Sequence, residues 1–475
     1  MLLAGLSGCN PVGPDYESPL TAMPDVWQQK AVKGLESGDA DIAIWWKILG
    51  DPVLDKLITY AGHGNLELEQ ALRRIEQARA DLTFTKGELY PQVGAIGDYQ
   101  RTRLSDDGLF GTDSSSNPGN INFHNLGVDS AWEVDVFGRI RRTIESAEGT
   151  LGASVEDYRD VLVSLYAEVA INYVEFRALE LRVKLAEANI ALQKKTLKLT
   201  QDLFKAGIAP QLDVQQANLN LATTESAIPP LRFGETAASN RLCVLLGLMP
   251  GEIDDLLQKE YSLPKLPGRV VVDLPVELLR QRPDIRRAER QLAAQSPLIG
   301  AATAQLYPIF TLTGTFVYQS RQLNSLVNRS NRSYSYGPRV EWDIFNAGRI
   351  RSNIRFEEAL TKEIFAQYEN VVLRAMEEVE NSMTAYVEEY DRKDALKRSV
   401  DASKESVTLV ETLYKAGLTD FQNVLDMQRS LFTQQDQFAE SGGKLVQSLI
   451  LIYKSLGGGW GEEKQITNYE LLITN

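Results

Sequence analysis

Cysteine and histidine are nearly missing from this chain, with two of each among 475 residues. Cys9 and Cys243 are too few for a disulfide framework or a thiolate metal site. Cys243 lies in the apolar run LCVLLGL and reads as core. His63 in YAGHGN and His124 in NFHNLG have no metal-type ligands beside them and read as solvated turn residues. No apolar stretch approaches the roughly 18 residues that a membrane-spanning helix needs, which excludes such a helix but not a β-barrel. Basic residues are also in deficit: 50 Lys and Arg against 64 Asp and Glu give a formal net charge of −14. That argues against nucleic acid as a partner, because its backbone needs clustered cations. A phosphate-binding glycine loop, a metal cluster and a nucleophile placed beside a base are all missing, so neither catalysis nor a cofactor is expected.

What the chain does have is repetition. LFKAG at Leu203 to Gly207 returns as LYKAG at Leu413 to Gly417, and GRIR at Gly138 to Arg141 returns at Gly348 to Arg351 with the same offset. Two motifs holding one offset indicate an internal duplication. Between them, apolar residues recur at every seventh position: Val155, Leu162, Val169, Phe176, Val183, Ile190, Leu197 and Phe204 in the first copy. The second copy has Phe365, Val372, Val379, Tyr386, Lys393, Val400, Val407 and Tyr414, with only Lys393 breaking the stripe. A proline-free heptad stripe of this length predicts a rod of roughly 100 Å. Gly207 and Gly417 suit the left-handed position that ends a helix. Return helices are predicted over Gln211 to Leu246, with Pro210 in the first turn, and over Phe421 to Leu456, with Thr419 and Gln422 as a capping box.

Upstream of each rod the period changes to two. After LYP at Leu89 to Pro91 and again at Leu306 to Pro308, strands are predicted over Val93 to Arg103 and Phe310 to Gln319. Two more lead into the rods, over Leu126 to Phe137 and Tyr334 to Ile344, and polar loops join each pair at Leu104 to Ile121 and Arg321 to Arg332. One face of these strands is apolar and the other carries acids. Such strands suit a membrane sheet, which must close on itself. Four are too few for one chain, so two chains would give a filled barrel of eight and three a barrel of twelve with a lumen. The soluble alternative packs the apolar face on helices. LSGC at Leu6 to Cys9 has the order of a bacterial lipoprotein processing site, with NPVGPDYESP as a flexible tether, so Cys9 is the candidate acylated residue. A buried or free thiol is the plain alternative.

This order of motifs resembles the TolC family of outer-membrane channels, and within it the lipidated NodT-type efflux branch. The resemblance runs from CNPVGPDYESP at Cys9 to Pro19 through NRLCVLLGLMPG at Asn240 to Gly251 and LLRQRPDIRRAER at Leu278 to Arg290 to SLGGGW at Ser455 to Trp460. It implies a mixed α/β membrane protein, a homotrimer whose twelve-stranded β-barrel, four strands per protomer, continues into a long α-helical coiled-coil barrel. Five segments follow: a lipid-anchored tether at 9–50, repeat 1 at 51–250, an equatorial linker at 251–274, repeat 2 at 275–460 and a disordered tail at 461–475. The implied function is the exit duct of a tripartite efflux pump in a Gram-negative outer membrane. Its partners would be outer-membrane lipid, a periplasmic adaptor (membrane fusion protein) and an inner-membrane pump of the RND type.

The resemblance also assigns residues. Lys205, Ala206, Gly207, Ile208, Lys415, Ala416, Gly417 and Leu418 would face the adaptor, though turn chemistry alone explains the glycines. Asp426 and Arg429 stand where the first copy has Gln216 and Leu219, and would join Gln422 in a periplasmic gate. An ion pair on a solvated helix face is the alternative. Gln422 departs from the apolar residue of many family members. Asp98, Asp129, Glu133, Asp135, Glu341 and Asp343 would line the barrel and favour cations. A coiled-coil scaffold lipoprotein without a pore is the rival reading, and it would not need the strands. A glycosidase-like use of Asp129 and Glu133 lacks a surrounding α/β pattern.

Overall fold

The computed structural model describes residues 11–19, 35–36, 42–103, 120–257, 263–264, 266, 270–271 and 276–461. Cys9, nearly all of the loop from Leu104 to Ile121 and the tail beyond residue 461 lie outside them. In chain order the elements are β1 (Leu35–Glu36), α1 (Pro52–Gly64), α2 (Leu66–Gly87), β2 (Gln92–Arg103), β3 (Asn120–Val134), α3 (Arg139–Lys205), α4 (Gln211–Ser226), α5 (Ile228–Leu245), α6 (Asp254–Leu257), β4 (Val270–Val271), α7 (Pro283–Ala304), β5 (Ile309–Ser320), β6 (Arg332–Glu341), α8 (Arg349–Lys415) and α9 (Phe421–Ser455). The duplicated rods α3 and α8 are 67 residues each, as the heptad stripe predicts.

Two compact units result. The first combines Met1–Leu20, Arg74–Ser154 and Arg287–Tyr368. Its centre is one antiparallel sheet of order β2-β3-β5-β6. Strand alternation puts Leu126, Val128, Leu312, Phe316, Tyr334, Tyr336 and Val340 on one face, and all seven are exposed. The soluble alternative required that face to be packed on helices. A bare apolar face of this size instead fits contact with lipid.

Residues 11–19 are not a free tether. Val12 donates its N–H to the Phe137 carbonyl at 3.0 Å. The buried Arg142 guanidinium holds the carbonyls of Val12 at 3.2 Å and Gly13 at 3.3 Å and the Asp15 carboxylate at 2.8 Å. A Cβ on Gly138 would meet Pro11 Cα at 2.6 Å, and one on Gly13 would meet Gly300 Cα at 2.3 Å, so two glycines make room for the docked segment.

The second unit combines Thr21–Arg73, Val155–Arg286 and Glu369–Asn475. The stripe residues Leu162, Val169, Phe176, Val183 and Ile190 are buried in it, as are Val372, Val379, Tyr386, Val400 and Val407 of α8. Lys393 is half-buried, and burial lowers its pKa. Near the chain ends, Trp45 stacks on Tyr453 at 5.8 Å, and the GGG of SLGGGW lets Gly459 N–H reach the Ile42 carbonyl at 2.9 Å. Trp460 lies between the Arg159 and Arg286 guanidinium groups, a cation–π arrangement that accounts for this motif locally.

Three sequence expectations for the return helices change. The first return helix breaks at Ala227 into α4 and α5, because Pro229 and Pro230 remove two N–H donors just beyond it. Pro210 sits at the N-cap of α4 rather than in its first turn, and the N-cap of α9 is Asp420, one residue beyond Thr419. The capping box does not form: Gln422 Nε2 donates to Asp426 Oδ1 at 3.0 Å, and Thr419 Oγ1 accepts from Asn423 Nδ2 at 2.9 Å.

Candidate hairpin tips and periplasmic gate

Each rod ends in the same backbone device. At the first tip Ile208 N–H reaches back to the Leu203 carbonyl at 2.9 Å and Gly207 N–H to Phe204 at 2.9 Å. At the second, Leu418 N–H reaches Leu413 at 2.9 Å and Gly417 N–H reaches Tyr414 at 3.0 Å. These are paired six-to-one and five-to-two bonds, which require a left-handed residue between them. Gly207 and Gly417 supply it with φ of 73° and 72°, and a Cβ at either would meet nothing within 4 Å. The glycines are therefore conformational and spare no space for a neighbour.

All eight tip residues, Lys205, Ala206, Gly207, Ile208, Lys415, Ala416, Gly417 and Leu418, are exposed. A hydrophobic residue after such a turn commonly packs back on its own helix. Ile208 and Leu418 remain 73% and 72% exposed, which leaves two lysine-flanked apolar knobs without cover.

Behind the tips, α4, α8 and α9 pack through a cluster of Ala217, Val410, Phe421, Val424 and Leu425. Asp213 in the first turn of α4 has a raised pKa, first through burial and then through the charge of Asp420. Nearby on α9 lie the candidate gate residues. Asp426 and Arg429 form an i,i+3 ion pair at 3.6 Å, and each is nearly half-exposed. Gln422 joins them through Asp426. Arg429 also donates from Nε to Asn220 Oδ1 on α4 at 3.1 Å, tying one return helix to the other.

Asn220 is 2% exposed and belongs to a buried polar layer that the heptad reading misses. Gln428 Nε2 donates to Thr196 Oγ1 at 2.8 Å and to Glu411 Oε1 at 3.2 Å, while Gln193 Nε2 donates to Thr224 Oγ1 at 2.9 Å. The available signal was the presence of amides between heptad positions, but their burial depends on the facing hairpin.

The six barrel acids divide. Asp135 turns onto the start of α3, accepting from Ile140 N–H at 3.2 Å and Arg141 N–H at 3.0 Å, which is an N-terminal cap for a rod with no acid in its first turn. Glu133 is held by Arg139 through a two-pronged pair at 3.0 and 2.9 Å. Asp98 accepts from Asn125 at 2.9 Å, and Glu341 accepts from Arg339. Asp129 remains on the sheet face, and Asp343 lines a groove at the foot of β6. Among the described residues no cluster of His, Cys, Asp and Glu could hold a metal ion, and no helix is long and apolar enough to cross a membrane.

Comparison with known proteins gives one consistent answer. The family model for outer membrane efflux proteins matches residues 57–248 and 274–458. The toluene efflux pump outer membrane protein TtgI of Pseudomonas putida is 32% identical over 463 residues, covering 96% of each chain. Nodulation protein T of Rhizobium leguminosarum bv. trifolii is 28% identical over 460 residues, covering 96% of this chain and 95% of its own. Among solved structures, the outer-membrane channel OprN superposes with a TM-score of 0.87 at 34% identity, over 94% of this chain and 99% of its own. The exposed sheet, the duplicated rods and these matches agree: the chain belongs to the outer membrane efflux protein family and is the exit duct of an efflux system in a Gram-negative outer membrane.

Proposed function

We propose that the duct is a homotrimer in which three four-stranded sheets close into one barrel and six helical hairpins form a tunnel below it. The observation that carries this reading is the pair of unpaired edges, β2 and β6, on a sheet whose apolar face is bare. In hydrocarbon such edges must find partners. The channel is passive, and drugs or other toxic small solutes reach it from an inner-membrane pump of the RND type through a periplasmic adaptor.

The adaptor seats on the two tips, where Ile208 and Leu418 offer apolar contact and Lys205 and Lys415 offer positive charge. Gln422, Asp426 and Arg429 narrow the periplasmic end. Asp98, Asp129 and Asp343 give the barrel its cation preference; Glu133 and Glu341 are already paired with Arg139 and Arg339, and Asp135 is engaged at the foot of α3. Acylation of Cys9 would tie the docked segment at 11–19 to the inner leaflet of the outer membrane.

Single-channel recording in planar bilayers tests the reading. A conducting, cation-preferring pore that widens in Asp426→Ala and Arg429→Ala supports it. Purified protein that never conducts in either form would favour the scaffold reading instead.

A further inference from the structure

The two repeats carry more information than their shared motifs. In β2 and β3, Gln92 pairs with Ala131; in β5 and β6, Ile309 pairs with Glu341. Aligning the LYP motifs equates Gln92 with Ile309, and aligning the GRIR motifs equates Ala131 with Glu341. The register of the first hairpin therefore maps residue for residue onto that of the second. A side-chain contact repeats on the same map: Trp132 Nε1 donates to the Leu89 carbonyl at 2.9 Å, and Trp342 Nε1 donates to the Leu306 carbonyl at 3.0 Å.

The junction between the repeats is β3 against β5, where Val134 pairs with Phe310 and Trp132 with Leu312. The same map carries this junction onto β6 and a second β2, which only another copy of the chain can supply. We propose that β6 pairs with β2 of a second copy in the register that places Ile344 opposite Val93, Trp342 opposite Ala95, and Val340 opposite Gly97. The proposal rests on the trimer above and adds which residues meet across its seams.

Two independent features agree with this register. It sets the exposed apolar residues of β6, Val340 and Tyr336 among them, on the same face as Val93 and Tyr99, which are also exposed. A slip of one residue would put apolar side chains opposite the charged face. It also sets Arg339, which already holds Glu341 on its own strand, directly opposite Asp98, a favourable cross-strand pair that shares the guanidinium between the two acids. A slip of two residues keeps the faces but leaves Arg339 opposite Ile96 or Gln100. The foot of β6 is consistent as well. Val134, the counterpart of Ile344, is part of a strand, whereas β6 ends at Glu341 and leaves Ile344 81% exposed. The second copy extends β6 through Ile344.

The test is disulfide trapping in the full-length protein within outer membranes. Val340→Cys is combined with Gly97→Cys, a position where a Cβ meets Leu126 Cδ1 at an ordinary 3.7 Å. The controls combine Val340→Cys with Ala95→Cys or Tyr99→Cys. Directly opposite residues lie within disulfide range and two-residue neighbours beyond it, so the first pair is expected to give covalent dimers and trimers at least about tenfold faster. Faster trapping in either control overturns the register while leaving the trimer intact. No trapping together with a native mass of one chain removes the trimer itself, and no trapping with a native mass of three overturns the register alone.

Should the cysteine variants fail to insert, charge exchange provides the same decision. In a Glu341→Gln background, which removes the in-strand partner of Arg339, Arg339→Asp and Asp98→Arg are each expected to lower the temperature at which the trimer dissociates, and the double variant to restore it. Singles that weaken the trimer with no restoration in the double contradict the pairing.

Discussion

Arg429 on α9 donates through Nε to Oδ1 of Asn220 on α4 at 3.1 Å, while its Nη1 stands 3.6 Å from Oδ1 of Asp426 on its own helix. The first contact joins two hairpins and reaches a buried amide; the second is an exposed pair within one helix. Exposed i,i+3 pairs contribute a few tenths of a kcal/mol, whereas leaving a buried amide without its partner costs about 1–3 kcal/mol. Arg429→Ala is therefore expected to loosen the tip more than Asp426→Ala. Hydrogen exchange across 211–226 and 421–430 measures this, and equal loosening would contradict the assignment.

The tip glycines give a second prediction. Since φ is 73° at Gly207 and 72° at Gly417 with open space around both, Gly→Ala should cost only the left-handed strain, about 1 kcal/mol at each. Asparagine should cost less than alanine. Thermal melting of each variant separates this from a packing role, which would give larger and unequal losses.

Asp213 contributes a pH dependence to the tip. Burial and Asp420 raise its pKa in the folded state, so the native form binds the proton more readily than the unfolded form. Its ionisation then opposes folding: tip stability is highest below the ordinary carboxylate range, falls as pH rises through the folded pKa, and stays reduced at neutral pH. Asp213→Asn is expected to raise tip stability at pH 7 and to flatten this acid-side dependence in hydrogen exchange. An unchanged profile would mean that Asp213 is not the group responsible.

Arg142 makes the docked N-terminal segment testable. It is 3% exposed, and its partners are the carbonyls of Val12 and Gly13, the open carboxylate of Asp15 and, on its own helix, the carboxylate of Glu145 at 2.7 Å. Because Asp15 and Glu145 both reach solvent, most of the loss in Arg142→Ala should come from the carbonyls left behind, about 1–3 kcal/mol. Residues 11–19 should then become sensitive to protease while the sheet stays folded. Retained protection would show that the segment is held by the glycine contacts instead.

Much of this architecture can be read from sequence because it rests on period and repetition. The stripe from Leu162 to Ile190 reports burial along one helix, and the alternation in β3 and β5 reports which face of each strand is apolar. The break at Ala227 is legible in Pro229 and Pro230, whose missing N–H groups interrupt the hydrogen-bond ladder of the return helix. Other features depend on what lies opposite. Asp135 alternates like a barrel acid, but the turn after β3 directs it onto α3, and nothing in its own strand signals that. Gln428 and Asn220 look like surface amides until the facing hairpin buries them. Pro11 to Pro19 has the composition of a tether, and its docking depends on Arg142, Gly138 and Gly300, which are remote in sequence.

The central claim is that one chain supplies a third of a closed membrane barrel. The native mass of the full-length protein, extracted from membranes in mild detergent, tests this most directly. Three chains per particle, stable only in detergent or lipid, is the expected result. A monomer that remains soluble without detergent would contradict it.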